Sequence, residues 1–348
     1  MSSDNVRGTV RDMPPPAIMR QMFAGYRMTQ ALYVAAKLGV ADLLKDEPKT
    51  SSELAKSLGV HSDLLQRVLR LLASLGVFTE VEDGRFTLTP LAALLQSDVS
   101  GSMRALAILE GEWYEPAWSA LLNSVNTGTP GFEQVFGMKL FPYLAQHPHA
   151  AEVYNAAMAG ATSAETLEIP AAYDFSDVQT LVDVGGGQGA LLATILTAHP
   201  HVRGVLLDHP AVIESARRVL EANGVWSRCT LVAGDFFVAV PVGGDVYVLK
   251  WVLHDWDDED ALRILRTCRR AMGQQAKLLV MEKIIPANNE PSYAQLSDLN
   301  MFILYGGRER TEREYRRLLA TAGFTLTRVI PTSAPAWNRV SVIEGTPA

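Results

Sequence analysis

The feature that most constrains the fold is a cluster of glycines at the end of a short apolar run. Residues 181–189 read Leu-Val-Asp-Val-Gly-Gly-Gly-Gln-Gly, and a helical pattern follows at once from Ala190 to Ala198. This order is typical of a buried parallel strand that turns tightly into a helix. Glycine suits such a turn because it accepts positive φ and leaves room for a ligand against the backbone. Taken alone, the glycines also fit a tight turn that binds no ligand.

Acidic residues at the ends of the following apolar runs favour a nucleoside ligand. Asp208 ends the next run, about twenty residues after the glycines, where a carboxylate can accept both hydroxyls of a ribose. Asp235 ends a third run, and Phe236 beside it can contact an adenine. The glycine spacing departs from the dinucleotide motif G-x-G-x-x-G, since Leu191 stands two positions after Gly189. A nucleoside without phosphate, such as S-adenosylmethionine, is therefore favoured over NAD.

Composition limits the class of protein and its partners. A chain of 348 residues with 48% hydrophobic content can bury a large core and form two domains. The net charge of −7 argues against nucleic acid as a partner. The two cysteines, Cys229 and Cys268, imply no disulfide framework. Without a signal pattern or an apolar run of membrane-spanning length, we expect a cytoplasmic protein that binds no membrane.

The N-terminal part resembles a winged helix in its pattern. Helical periodicity over residues 17–45 precedes two capped helices, and hairpin signals flank the turn 82–84. DNA binding by such a unit requires a basic recognition helix, but the candidate helix 63–72 carries only two arginines on a mostly apolar surface. We therefore expect residues 1–100 to form a winged-helix-like dimerisation domain.

The remainder, residues 101–348, is expected to form the catalytic domain. The segment 101–165 is helical and aromatic, which fits either core packing or the wall of a pocket for a flat apolar substrate. In 166–348 strands alternate with helices, and the last two strands, 324–330 and 339–344, are too close for a helical crossover. These patterns predict an α/β fold with a mostly parallel sheet and an antiparallel edge hairpin.

A histidine follows the predicted fourth strand, at the sheet edge where α/β proteins bind ligands. Residues 249–258 place His254 and Asp255 just past the strand. Neutral imidazole can take the proton of a phenol as its oxygen attacks a sulfonium methyl group. The other ring nitrogen then needs an acceptor, and Glu282 and Glu314 are the candidates. A surface turn is the alternative for the His–Asp pair, and no second nearby His or Cys supports a metal site.

At these residues the chain resembles the small-molecule O-methyltransferases, typified by plant caffeic acid O-methyltransferase and by bacterial antibiotic and phenazine O-methyltransferases. The resemblance covers essentially the whole chain, since the family also has an N-terminal winged-helix dimerisation domain. The matching segments are 183–189, 207–208, 234–237, 249–256, Glu282, 298–301 and 306–315.

The resemblance implies a class I methyltransferase, Rossmann-like fold, a homodimer, S-adenosylmethionine as cofactor and S-adenosylhomocysteine as product. His254 would be the general base of a metal-independent reaction, Glu282 and Glu314 would flank and orient it, and Asp255 would help to position the base or the substrate. The implied cofactor-binding residues are Asp183, Gly185, Gly187, Asp208, Gly234, Asp235, Phe236, Lys250 and Trp256. The implied acceptor-binding residues are Trp113, Phe136, Tyr154, Met158, Trp251, Asn300 and Met301.

The expected acceptor is an aromatic small molecule of bacterial secondary metabolism, such as a phenazine, polyketide or phenol, because segment 113–158 is less like the plant enzymes than the rest of the chain. Alternatives are a hydroxylase or decarboxylase that uses S-adenosylmethionine on the same fold, and a winged-helix, ligand-responsive regulator. The first alternative is disfavoured because His254, Asp255, Glu282 and Glu314 are all present. The second is disfavoured because the candidate recognition helix is not basic. An NAD-dependent oxidoreductase is disfavoured by the glycine spacing, and a metal-dependent catechol-type methyltransferase by the histidine base.

Overall fold

The structure is a computed structural model that describes residues 14–161, 163–288, 290–334 and 339–348. The helices are α1 Pro15–Lys37, α2 Val40–Leu43, α3 Ser51–Leu58, α4 Ser62–Ser74, α5 Pro90–Ala93, α6 Arg104–Leu109, α7 Glu115–Ser119, α8 Leu121–Thr127, α9 Gly131–Phe136, α10 Leu140–Gln146, α11 Pro148–Ala161, α12 Ser163–Ala172, α13 Ala190–Ala198, α14 Pro210–Ala222, α15 Asp258–Ala271, α16 Tyr293–Tyr305 and α17 Glu312–Thr321. The strands are β1 Lys49–Thr50, β2 Phe78–Glu80, β3 Arg85–Leu88, β4 Thr180–Val184, β5 Arg203–Asp208, β6 Cys229–Ala233, β7 Val246–Lys250, β8 Lys277–Ile285, β9 Arg310–Thr311, β10 Phe324–Pro331 and β11 Val340–Pro347.

The chain divides into two compact units. Unit 1 consists of Met1–Glu115 and Glu152–Ala161, and unit 2 of Pro116–Ala151 and Thr162–Ala348. No helix in the described part of the chain has the length and apolar character needed to cross a membrane.

Unit 1 combines helices with a three-stranded antiparallel sheet in the order β1-β3-β2. Helix α4 buries Leu65, Leu69 and Leu72, whose spacing of four and three residues places them on one face. The periodicity over residues 17–45 predicted continuous helix there. The structure instead ends α1 at Lys37, because Gly39 adopts φ of +67° before α2 begins.

Unit 2 contains the large sheet, with strand order β10-β11-β8-β7-β4-β5-β6. Strands β4 to β8 pair in parallel, whereas β11 pairs antiparallel with both β8 and β10. The predicted fold, a mostly parallel sheet with an antiparallel edge hairpin and an N-terminal helical domain, is confirmed. The side chains of β7 alternate between two cores, with Tyr247 and Leu249 facing α15 and α17, and Val246 and Val248 facing α13 and α14.

The strand order positions the candidate site. Strand β4 lies between β5 and β7, so the chain leaves the sheet centre in opposite directions on its two sides. At such a switch point the loops after neighbouring parallel strands leave a crevice at the carboxyl edge of the sheet. The carboxyl ends of β4, β5, β6 and β7 and the loops that follow them carry the candidate cofactor residues together with His254 and Asp255.

Candidate active site

The loop after β4 has a backbone conformation that requires glycine. Gly185, Gly187 and Gly189 have φ of +73°, +57° and +77°, values that side chains with a Cβ rarely adopt. A Cβ on Gly186 would lie 2.6 Å from Asp183 Oδ2, whereas a Cβ on Gly187 would meet no atom within 4 Å. The loop therefore turns tightly. It also leaves the main chain accessible at Gly187, which a ligand that lies against the backbone requires.

Two carboxylates stand beside this loop. Asp183 is buried, and its Oδ2 atom has no hydrogen-bond partner among the described residues. Burial raises the pKa of the Asp183 carboxyl to about 7, against the opposing effect of Lys250. Asp208 accepts hydrogen bonds from the amides of Gly187, at 2.7 Å, and His209, at 2.6 Å. A carboxylate offers about four acceptor positions, so Asp208 retains capacity for ligand hydroxyls.

The loops after β6 and β7 approach the glycines from the other side. A Cβ on Gly185 would lie 3.0 Å from Val252 and 3.5 Å from the Phe236 ring. The Phe236 ring in turn meets Trp256 edge to face, with centroids 6.2 Å apart. Asp235, next to Phe236, is exposed. The orphaned Asp183 oxygen, the open glycine backbone and these aromatic rings together fit a nucleoside that carries amino and hydroxyl donors.

The predicted base lies in a short 3-10 turn, Leu253–Asp255, directly after β7. The His254 side chain is buried, and its Nδ1 atom lies 3.0 Å from Glu309 Oε1. Its Nε2 atom lies 3.5 Å from Asp255 Oδ1, so the ring stands between two carboxylates. The same Glu309 oxygen accepts a hydrogen bond of 2.7 Å from the Ser297 hydroxyl. An imidazole held in this way has one tautomer and one orientation.

The carboxylate that orients the ring is Glu309, so the prediction of Glu314 for this role is wrong. Glu314 is at the third position of α17, where it closes a capping box with Thr311 through bonds of 2.8 Å to the amide and the hydroxyl. It also pairs with Arg308 at 2.9 Å. The pattern Thr-x-x-Glu is the signature of this cap, and it could have indicated that Glu314 is committed to its helix.

Glu282 also differs from the expectation, because it binds the backbone of the turn rather than the ring. Its Oε1 atom accepts the amides of Val252 at 3.2 Å and His254 at 3.1 Å. Its Oε2 atom accepts the hydroxyl of Tyr315. Glu282 is fully buried in β8, one residue after the last pair of that strand with β7, beside the turn that it holds. Its carboxylate thus fixes where the histidine stands, whereas Glu309 fixes how the ring is turned.

The surrounding carboxylates change the acidity of the base. Burial lowers the pKa of His254, but Glu309 and Asp255 raise it more, so that the net pKa is about 9. Burial raises the pKa of Asp255 to about 7, although the neighbouring His254 lowers it. For Glu309 the effect of burial is outweighed by His254, and its pKa lies below the usual value. Near neutral pH the ring and Glu309 therefore form a buried ion pair.

The predicted acceptor-binding residues are distributed over both units. Trp113, Tyr154 and Met158 belong to unit 1. In unit 2, Trp251 has an unusual φ of +56°, and its ring centroid lies 5.1 Å from that of His254. The buried indole nitrogen of Trp251 has no hydrogen-bond partner among the described residues. Trp251 is thus a candidate acceptor residue that stands beside His254.

The other acceptor candidates of unit 2 have structural contacts of their own. Asn300 accepts a hydrogen bond of 2.8 Å from the indole of Trp118, and Met301 is buried. Phe136 packs against Phe132, with ring centroids 4.4 Å apart. Within the described ranges, no group of three or more His, Cys, Asp or Glu side chains could hold a metal ion.

Comparison with known families agrees with this geometry. Residues 118–325 match the family model of an O-methyltransferase domain, and residues 20–98 match that of an O-methyltransferase dimerisation domain. The chain belongs to the O-methyltransferase family. The predicted family and enzyme class are thereby confirmed.

The similar curated proteins are bacterial biosynthetic methyltransferases. The chain is 48% identical over 347 residues to phenazine O-methyltransferase PhzM of Lysobacter antibioticus, covering 100% of both chains. It is 38% identical to mitomycin biosynthesis 6-O-methyltransferase of Streptomyces lavendulae, covering 94% of each. It is also 35% identical to phenazine-1-carboxylate N-methyltransferase of Pseudomonas aeruginosa, covering 89% of this chain and 92% of that protein. The relatives thus include both O- and N-methyltransferases.

Solved structures give the same assignment. The crystal structure of LaPhzM superposes with a TM-score of 0.93 at 48% identity, covering 97% of this chain and 100% of that chain. NcsB1, an O-methyltransferase from neocarzinostatin biosynthesis, superposes with a TM-score of 0.79 at 33% identity, covering 92% and 96%. NcsB1 was crystallised with S-adenosylmethionine and 2-hydroxy-5-methyl naphthoic acid, and also with S-adenosyl-L-homocysteine and 1,4-dihydroxy-2-naphthoic acid.

Proposed function

We propose that this protein uses S-adenosylmethionine to methylate a hydroxyl group of an aromatic small molecule of bacterial secondary metabolism, such as a phenazine, polyketide or phenol. The observation that carries the proposal is the buried imidazole of His254, oriented by Glu309 at the sheet edge next to the glycine loop. The reactions named for the similar proteins support the choice of acceptor class.

The cofactor would lie on the loops after β4 to β7. Bound S-adenosylmethionine supplies an electrophilic methyl group. We assign its ribose to Asp208, its adenine to Asp235, Phe236 and Trp256, and its amino acid end to the glycine loop. Gly234 and Lys250, at the ends of β6 and β7, complete the proposed cofactor site with Asp183, Gly185 and Gly187.

In its neutral form, His254 would accept the hydroxyl proton of the acceptor at its Nε2 atom. Glu309 keeps the proton of Nδ1 in place, because its carboxylate accepts the hydrogen bond from that nitrogen. It also stabilises the positive charge that develops on the ring as the proton arrives. Asp255 Oδ1 lies 3.5 Å from the Nε2 atom and adds to this stabilisation. Burial of the ring keeps bulk water away from the transferred proton.

For the acceptor we propose Trp251, Asn300, Met301 and Phe136 as binding residues, of which Trp251 stands next to the base. The assignments of Trp113, Tyr154 and Met158 stay predictions from the family resemblance. Residues 1–100 would serve as the dimerisation domain of a homodimer, and residues 101–348 as the catalytic domain. The cytoplasmic location and the lack of nucleic-acid or membrane partners also stay predictions from the sequence.

Substitution of the base tests the proposal. His254→Ala should lower kcat by about 10²- to 10⁴-fold on a hydroxylated acceptor, because general-base assistance is typically of that size. The affinity for S-adenosylhomocysteine should be unchanged, as measured by calorimetry. His201→Ala, which alters an exposed histidine, is the control and should leave kcat unchanged.

Mass spectrometry of products from a panel of hydroxylated and aminated aromatics would identify the atom that is methylated. An N-methyltransferase is the second candidate, since two of the similar proteins are named for methylation at nitrogen. It would methylate an amino group or a ring nitrogen and leave hydroxyl groups unmodified. If His254→Ala keeps wild-type turnover on a phenol at neutral pH, the enzyme acts by alignment alone and the proposed role of the base is wrong.

A further inference from the structure

The turn that carries His254 departs from regular secondary structure. It begins at Trp251, whose φ of +56° lies in a region that non-glycine residues seldom adopt. A single 3-10 turn, Leu253–Asp255, follows before α15 starts at Asp258. Buried backbone groups of such a segment have no strand or helix ladder to satisfy them, so they need side-chain partners. The position of the imidazole therefore depends on those partners.

The carbonyl groups of the turn are bound by a fully buried arginine. Arg310 donates from Nη1 to the carbonyl of Leu253 and from Nη2 to the carbonyl of Trp256, both at 2.9 Å. Its Nε atom donates to Asp258 Oδ1, also at 2.9 Å. The three acceptors lie on both sides of His254 along the chain. One planar guanidinium thus spans the chain from Leu253 to the start of α15.

The amide groups of the same turn are bound by Glu282, as described above, so the two buried side chains have complementary tasks. The anion Glu282 accepts the amides, and the cation Arg310 binds the carbonyls. A neighbouring contact adds to this arrangement, since the amide of Arg308 donates to the carbonyl of His254 at 2.8 Å. The turn is thereby held on its donor and acceptor sides at once.

We infer that Arg310 is a positioning residue for the base: its guanidinium clamps the Leu253 and Trp256 carbonyls and so fixes His254 against the acceptor. This inference rests on the proposed function, because it gives His254 the role of the base. The rigid fork of arginine can serve three acceptors, whereas a lysine ammonium has the same charge without that geometry. A misplacement of about 1 Å costs on the order of 10² in rate.

Arg310→Lys tests the clamp while keeping the charge. At saturating cofactor and acceptor, kcat should fall by about 10- to 100-fold, because the imidazole loses its fixed position. Arg316→Lys is the matched control, since Arg316 is exposed on α17 and pairs with Glu312. That substitution should leave kcat unchanged. Wild-type kcat in a folded Arg310→Lys variant would overturn the inference.

Two further measurements separate positioning from general damage to the fold. With a phenol whose hydroxyl is already ionised at the assay pH, the loss in Arg310→Lys should shrink, because no proton has to be removed. In the background of His254→Ala, Arg310→Lys should cost little more, since the group that it positions is gone. An equal loss on ionised acceptors, or full additivity with His254→Ala, would mean that Arg310 acts only on stability.

If Arg310→Lys fails to fold, a substitution at a partly exposed partner of Arg310 can test the same inference. Asp258→Ala removes the carboxylate that accepts the hydrogen bond from Nε of Arg310, at a side chain that is partly exposed. It should lower kcat in the same direction by a smaller factor, and again less on ionised acceptors. Unchanged kcat in this variant would refute the clamp. Unchanged turnover in His254→Ala would instead refute the proposed function, whatever the arginine variants show.

Discussion

Replacing Glu309 by glutamine isolates the effect of one charge on the base. The amide oxygen of glutamine can still accept the hydrogen bond from Nδ1 of His254, so the tautomer is kept while the negative charge is lost. Hydrogen bonds to charged groups contribute about 1.5–3 kcal/mol and neutral ones about 0.5–1.5 kcal/mol. The difference of about 1–2 kcal/mol corresponds to a loss of about 5- to 30-fold in kcat.

The pH dependence of kcat/KM gives a second prediction for Glu309→Gln, namely the direction in which its acid limb moves. In the wild type, burial lowers the pKa of His254 but the carboxylates raise it to about 9. Without the charge of Glu309 this pKa falls, so the acid limb of kcat/KM should move to lower pH. A larger fraction of the ring is then neutral near pH 7, which offsets part of the loss. The ratio of wild-type to variant activity should therefore increase with pH.

The assay is a pH profile of kcat/KM for the acceptor at saturating S-adenosylmethionine, with Glu314→Gln as the control. Glu314 closes the cap of α17 and its nearest charged partner is Arg308, so its substitution should leave the profile unchanged. The reasoning is refuted if Glu314→Gln shifts the acid limb and Glu309→Gln does not. An unshifted limb in both variants would mean that the limb reports a group other than His254.

Three other results are expected. Gly307→Ala would place a Cβ 2.1 Å from the carbonyl oxygen of His254, so it should lower both Tm and kcat, whereas Gly273→Ala meets no atom within 4 Å and should change neither. Burial opposes ionisation of Glu344, but hydrogen bonds from Arg328 and its neighbours lower its pKa from 4.5 to about 2. The stability that it contributes is present above about pH 4.5 and is lost as the pH falls towards 2. Urea unfolding of Glu344→Gln should therefore show a smaller loss of stability than the wild type over this range. Sedimentation should show a dimer at micromolar concentration, and a fully active monomer would contradict the assembly.

Local chemistry explains which parts of the fold could be predicted. The glycine loop was readable because positive φ and backbone access both demand glycine, and Gly185, Gly187 and Gly189 do adopt positive φ. The parallel strands were readable because burial on both faces makes them continuous apolar runs, as at β7. The edge hairpin was readable from the short connection between its strands. Each of these signals lies within a few adjacent residues.

The partners of the base could not be read in the same way. Glu309 is 55 positions from His254, and its hydrogen bond depends on how the chain returns to the sheet edge after α16. Arg310 looks like an ordinary surface charge in the sequence, yet it is fully buried. Glu314 lies in a segment that resembles the family, but its capping box with Thr311 is a local signal against a role beside the base. Geometry, rather than residue type, separates these acids.

The raised pKa of His254 has a consequence for the kind of acceptor that the site can use. A base with a pKa of about 9 is close to an ordinary phenol with a pKa of about 10, so proton transfer between them is only slightly uphill. For an imidazole with its usual pKa near 6.5, the same proton transfer would be much more strongly uphill. The gain is limited at neutral pH, because most of the ring then already carries a proton. A positive charge placed beside the ring favours its neutral form, so binding of a sulfonium would increase the fraction of active base. The acidic surroundings of His254 therefore suit weakly acidic hydroxyl groups, provided that the cationic methyl donor is bound first.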